Sequence, residues 1–171
     1  MTAAQSDGKR GAHKALLLLL AINLCNYIDR YVLAAVEPSI RAAFFAADDP
    51  NAMAMTGSLA PAFLATYMLA APALGWLADR FSRWLVIGVC VILWSLATAA
   101  GGLAGTFFAL FVTRIFVGIG EGGYGPAAPT ILADYFPVEK RGRIMAIFCA
   151  AIPVGSALGY VLGGLIGAQL G

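Results

Sequence analysis

Apolar residues fill five long runs in this chain, at residues 15–40, 56–77, 84–101, 106–132 and 144–170. They come as long runs, not as amphipathic stripes. About 20 such residues carry a helix across the hydrocarbon of a bilayer, so each run predicts one span. Polar breaks separate them. Residues 1–14 form a Gly/Ser-containing tail, and residues 41–55, with Asp48, Asp49, Pro50 and Asn51, predict an exposed loop. A charged connector holding Asp79, Arg80 and Arg83 joins the second run to the third. An uncharged Gly-rich turn follows the third, and residues 134–143 form a second charged connector. Pro61 and Pro72 are candidate kinks in the second span. The expected fold is all-α and polytopic: a cytoplasmic tail at 1–14 and one helical membrane domain over 15–171.

Composition removes the soluble alternative. Hydrophobic residues make up 61% of the chain and charged residues 12%, about half the charged share of a soluble domain. The net charge of +2 and the lack of a basic run outside the spans exclude a nucleic-acid partner. Cys25, Cys90 and Cys149 sit in apolar runs without metal-ligand spacing, and read as small buried hydrophobes. The first run is too long for a signal peptide and is kept as a span. His13 in the tail is the one histidine, and no nucleophile lies beside a base, so neither an enzyme, a metal site nor a cofactor is expected.

Lys and Arg divide unevenly between the two sides. Lys9, Arg10, Lys14, Arg80, Arg83, Lys140, Arg141 and Arg143 fall on one side, and Arg41 alone on the other. Positive-inside counting makes the N-terminus cytoplasmic and the chain a multi-pass protein of the cell membrane, the inner membrane in a bacterium.

Two spans carry polar groups that lipid would not tolerate. At ~100° per residue, Asn23, Asn26, Tyr27, Arg30 and Glu37 fall within one stripe roughly 100° wide, with Asp29 off its edge. Arg114 and Glu121 are two turns apart on the fourth span and share a face. A single charge at mid-bilayer costs about 2.5–3.5 kcal/mol on an insertion scale, so these faces must meet protein or water. Locking helices together is one use of such charges; a pathway for solute or ions is the other. A buried arginine stays cationic and needs a carboxylate or an anionic ligand. Asp29 and Glu121, set against Arg30 and Arg114, have the parts for proton-coupled movement. Around them Gly118, Gly120, Gly122, Gly123 and Gly125 suit close helix packing. Gly155, Gly159 and Gly163 form a second seam at four-residue spacing, open to helix packing or dimerisation.

Several of these motifs together resemble one family. Gly75-x3-Asp79-Arg80-x2-Arg83 is similar to the signature between the second and third helices of the major facilitator superfamily. Asp134-Tyr135-Phe136-Pro137-x-Glu139-x-Arg141-Gly142 resembles its companion at the cytoplasmic end of the fourth helix. Arg114-x3-Gly118-x-Gly120-Glu121 is similar to the fourth-helix motif itself. More narrowly, Asn26-Tyr27-Ile28-Asp29-Arg30, the run from Gly120 through Tyr124 to Pro129, and the run from Pro153 to Tyr160 resemble the spinster-type branch. Members of that branch are associated with sphingolipid and lysophospholipid export. The organic anion:cation symporters share the Asn-Tyr-x-Asp-Arg and Gly-Glu elements and stand as the alternative branch. Drug-antiporter relatives carry a Gly-Pro pair in the fifth helix, whereas Gly159 here precedes Tyr160.

The resemblance implies a secondary transporter working by alternating access, proton-linked, for an amphipathic or organic anion such as a lysolipid or sphingolipid-like solute. Asn26, Tyr27, Asp29, Arg30, Arg114 and Glu121 would line the pathway for substrate and protons. Gly75, Asp79, Arg80 and Arg83, with Asp134 and Arg141, would form the cytoplasmic gate. Membrane lipid, the solute and protons are the implied partners. The family's twelve spans in two halves make this chain's five a partial N-terminal half, which would need the second half to close a cavity. A non-transporting membrane assembly subunit is the other class that fits five spans.

Overall fold

The computed structural model describes the backbone of residues 3–170 and the side chains of residues 11–169. The described residues form seven helices and no strand: α1 (Ala3–Ala35), α2 (Glu37–Phe44), α3 (Ala52–Gly57), α4 (Leu59–Arg80), α5 (Arg83–Gly102), α6 (Phe107–Tyr135) and α7 (Val138–Leu170). Five stretches are long and apolar enough to cross a membrane: Gly11–Ala35, Ala52–Arg80, Arg83–Gly102, Phe107–Tyr135 and Val138–Gln169. The all-helical, five-span fold class expected from the apolar runs is the one observed.

The helix ends follow local chemistry. The first apolar run does not stay one helix to residue 40. Val36 N still donates to Val32 O at 3.0 Å, but Pro38 has no N–H and its ring opposes the carbonyl one turn back, so α1 stops at Ala35. Glu37 therefore opens α2, and the stripe that the periodicity drew from Asn23 to Glu37 loses its last member. The expected loop at 41–55 is also shorter, because α2 runs to Phe44 and α3 starts at Ala52.

Both charged connectors shrink to two residues. Phe81 is extended (φ −116°, ψ 174°) and Ser82 follows at φ −59°, ψ 119°, which turns the chain. Asp79 and Arg80 thus end α4, and Arg83 begins α5. At the other connector Phe136 and Pro137 separate α6 from α7, where Pro137 suits the residue just ahead of a helix. Thr106 caps α6 by accepting from Ala109 N at 3.2 Å. Pro61 falls in the first turn of α4, where a missing N–H has no partner to lose, and α4 continues through Pro72 as well.

The chain divides into two compact units. One holds the residues up to Ser39 and those from Pro129 onward, so that α1 packs on α7. The two helices are parallel and keep one register along the Gly155, Gly159, Gly163 seam. A β-carbon on these glycines would lie 3.0, 2.7 and 2.9 Å from the carbonyl oxygens of Leu24, Ile28 and Val32 in turn. The seam is therefore helix packing inside the chain, and dimerisation through it is excluded while α1 occupies it. Asn23 Nδ2 adds a buried hydrogen bond to Phe148 O at 3.1 Å.

The other unit, Ile40–Ala128, contains α4, α5 and most of α6. Here the glycines of α6 sort by face. A β-carbon on Gly122 would meet Tyr67 O and Ala70 Cβ of α4 at 3.1 Å, whereas one on Gly120 would meet Trp94 N of α5 at 2.9 Å. Gly123 lies against Cys90 Sγ. Trp94 and Tyr124 stack edge to face at 5.8 Å. Cys90 is buried as expected, while Cys25 and Cys149 are exposed and not buried as their apolar runs suggested.

Candidate functional site

Each unit contributes its own set of polar groups at membrane depth. On α1, Asn23 and Asn26 are buried, at 6% and 5% exposure. Tyr27 and Arg30 are half-buried, and Asp29 is exposed, as its place off the stripe predicts. Arg30 lies over the Tyr27 ring with its guanidinium carbon 5.1 Å from the centroid, one helical turn away. Its Nε atom is fully buried. The α1 set is therefore graded: amides inside, the arginine lying along an aromatic face, and the carboxylate outward.

On α6, Arg114 and Glu121 are both buried, at 6% and 4% exposure. Half of the α6 apolar window is buried, against 11–28% for the other four spans, so α6 carries its charges in the best-shielded helix. The glycines explain how. Gly118 lets Thr66 and the Phe63 carbonyl of α4 approach, and Gly125 lets the Tyr67 hydroxyl in. Gly101 of α5 faces the Arg114 guanidinium: a β-carbon there would stand 2.8 Å from Nη2. Tyr67, Thr66 and Gly101 were not singled out by the sequence. Tyr67 and Thr66 sit in an ordinary apolar run, and Gly101 looks like the plain end of the third span.

The gate-motif residues also fall in both units. In the unit 40–128, a β-carbon on Gly75 would meet Pro126 Cβ and Cγ at 3.6 Å, an ordinary contact distance. Asp79 and Arg80 are exposed at the end of α4, and Arg83 is half-buried at the start of α5. Arg80 lies over the Trp76 ring at 4.0 Å, a cation–π pair suited to a membrane–water boundary. In the other unit Asp134 and Arg141 are exposed. Arg141 Nε donates to Phe136 O at 3.1 Å, satisfying a carbonyl left over at the end of α6. That contact gives Arg141 a structural task in the α6–α7 turn.

Comparison with known proteins follows the same motifs. Residues 19–171 match the profile of the Major Facilitator Superfamily. Protein spinster homolog 1 of Xenopus laevis is 40% identical over 149 residues, 86% of this chain and 27% of the relative. Protein spinster of Drosophila melanogaster is 40% identical over 146 residues, 85% of this chain and 23% of the relative. Among solved structures, a bacterial homolog of the human lysosomal transporter Spinster, inward-facing and occupied, superposes with a TM-score of 0.81. It is 34% identical and is matched over 92% of this chain and 33% of its own. Its unoccupied inward-facing form gives 0.80. The chain thus spans a third or less of the length of these relatives. With spinster-like sequence along nearly all of its spans, this chain belongs to the Major Facilitator Superfamily, a family of transporters rather than enzymes.

Proposed function

We propose that this chain is the substrate-handling N-terminal part of a proton-linked secondary transporter for an amphipathic organic anion, a lysolipid or sphingolipid-like solute. The observation that carries the reading is the burial of Arg114 and Glu121 on α6, inside a span of mean hydropathy 1.3. A permanently cationic side chain at membrane depth is costly, and function is the usual reason it is kept. Its guanidinium can donate two parallel hydrogen bonds to a phosphate or carboxylate. Arg30 offers the same chemistry from α1, with Asn26 and Tyr27 as further polar contacts and Asp29 as a carboxylate able to take up a proton. Apolar walls suit the solute's tail. The charges at the α4–α5 and α6–α7 turns, Asp79, Arg80, Arg83, Asp134 and Arg141, would gate the cytoplasmic side as the cavity alternates its access. The positive-inside count places those turns and the N-terminus in the cytoplasm of a cell membrane. Such a cavity needs the second half that the family architecture implies.

The test is transport in proteoliposomes by this chain joined to the second half that the family architecture implies, with lysophosphatidylglycerol and small organic anions compared side by side. Saturable lysolipid movement that is lost in Arg114→Ala supports the reading. Movement of the small anions alone would assign the chain to the organic anion branch, and no movement of either would favour an assembly role.

A further inference from the structure

We infer that Gly101 is a positioning residue for Arg114, and that the last turn of α5 forms the seat on which the Arg114 guanidinium rests. The inference deepens the transport reading, since it assigns what aims the anion-binding arginine. Gly101 is the next-to-last residue of α5. A β-carbon built on it would stand 2.8 Å from Nη2 of Arg114, 3.0 Å from Oγ1 of Thr113 and 3.6 Å from Cδ1 of Leu110. The first distance is shorter than real β-carbon contacts allow, so only a glycine lets the guanidinium lie there.

The helix end itself favours a cation at this place. The carbonyls of a last turn project a partial negative charge, and a cation beside them is stabilised. Ala100 O and Gly101 O accept 3.2 Å bonds from the chain that follows, from Leu103 N and Ala104 N. Such carbonyls keep acceptor capacity for a neighbouring cation. Thr113 cannot easily yield in place of Arg114, because its hydroxyl is tied to Leu110 O at 2.7 Å. The neighbouring Gly102 has nothing within 4 Å of its own added β-carbon. Position 101 therefore contacts the arginine tip and position 102 does not, although both are glycines of one helix end.

Gly101→Ala should shift the flexible end of Arg114 and leave the packed backbone in place. Arginine modification by phenylglyoxal, followed at Arg114 by mass spectrometry on the purified protein, reads the position without any transport. Arg114 is nearly inaccessible in the native chain, so the expected result is modification faster by about tenfold in Gly101→Ala. Gly102→Ala should match the wild type, and the thermal midpoints of both should stay within about 2 °C of it. In the transport assay with lysophosphatidylglycerol, Gly101→Ala should raise KM about tenfold with kcat held within about twofold. That penalty should shrink in an Arg114→Lys background, where the tip is smaller. Equal modification rates in Gly101→Ala and wild type would overturn the inference, as would an equal rise in Gly102→Ala. If the wild type moves no lysolipid, the transport reading falls while the modification rates still decide the role of Gly101.

Discussion

Gly159 of α7 and Ile28 of α1 meet backbone to backbone: a β-carbon on the glycine would lie 2.7 Å from the isoleucine carbonyl oxygen. No side-chain rotation can relieve that contact, because the neighbouring atom belongs to a helix. Gly159→Ala should therefore push α1 and α7 apart and cost about 1–3 kcal/mol, the usual range for overpacking. Gly164, one residue past the seam, has nothing within 4 Å, so Gly164→Ala should be neutral or stabilising by up to about 1 kcal/mol. Thermal unfolding of the two variants in detergent checks the pair. Equal midpoints would show that the seam is not tight.

Asn23 makes a long-range side-chain bond between α1 and α7, to Phe148 O at 3.1 Å. The Phe148 carbonyl is part of a helix ladder, so the asparagine supplies a second donor to an oxygen already in use. Interhelical bonds of this kind in membrane proteins contribute about 0.6–2 kcal/mol. Asn23→Ala should lower stability by about 1 kcal/mol in the same unfolding assay, and Asn23→Gln should not restore it, since the longer side chain misplaces the amide.

What the sequence made legible here is what repeats. Arg114 and Glu121 lie two turns apart, and the Gly155, Gly159, Gly163 seam recurs every four residues, so helical geometry alone puts each set on one face. The break at Val36 was harder to read. Pro38 was visible, but the apolar run continues to Ile40 and hydropathy bridges the interruption. Helices also overran the charged connectors. A long Arg at a helix end can carry its charge to water while its backbone stays helical, so Asp79 and Arg80 remain in α4. Gly101 was hidden for a different reason. Its partner is thirteen positions on and in the next helix, and nothing in a Gly-Gly pair before an uncharged turn distinguishes a seat from a bend.

The orientation rests on counted charges and has a direct test. Ser82, between α4 and α5, and Gly105, between α5 and α6, are both exposed. Cys25, Cys90 and Cys149 lie within apolar spans, which a charged maleimide does not enter. In intact cells a membrane-impermeant maleimide should label Gly105→Cys and spare Ser82→Cys; permeabilised cells should label both. Labelling of Ser82→Cys alone in intact cells would reverse the topology.

Proton linkage predicts a separable phenotype for the two carboxylates. A carboxylate that loads and releases a proton in each cycle makes the transport rate depend on pH, with a limb as steep as about tenfold per unit. Asparagine and glutamine keep the shape and the acceptor oxygen but cannot titrate. Asp29 is exposed on α1 and Glu121 is buried on α6, so replacing each in turn asks which environment holds the coupling proton. Asp29→Asn or Glu121→Gln should flatten the pH–rate limb while some substrate movement down its own gradient survives. Asp79→Asn, at the connector, should keep the limb and change only the overall rate. A pH profile that is unaltered in both Asp29→Asn and Glu121→Gln removes proton coupling through these residues and leaves a transporter driven by the solute gradient or by another ion.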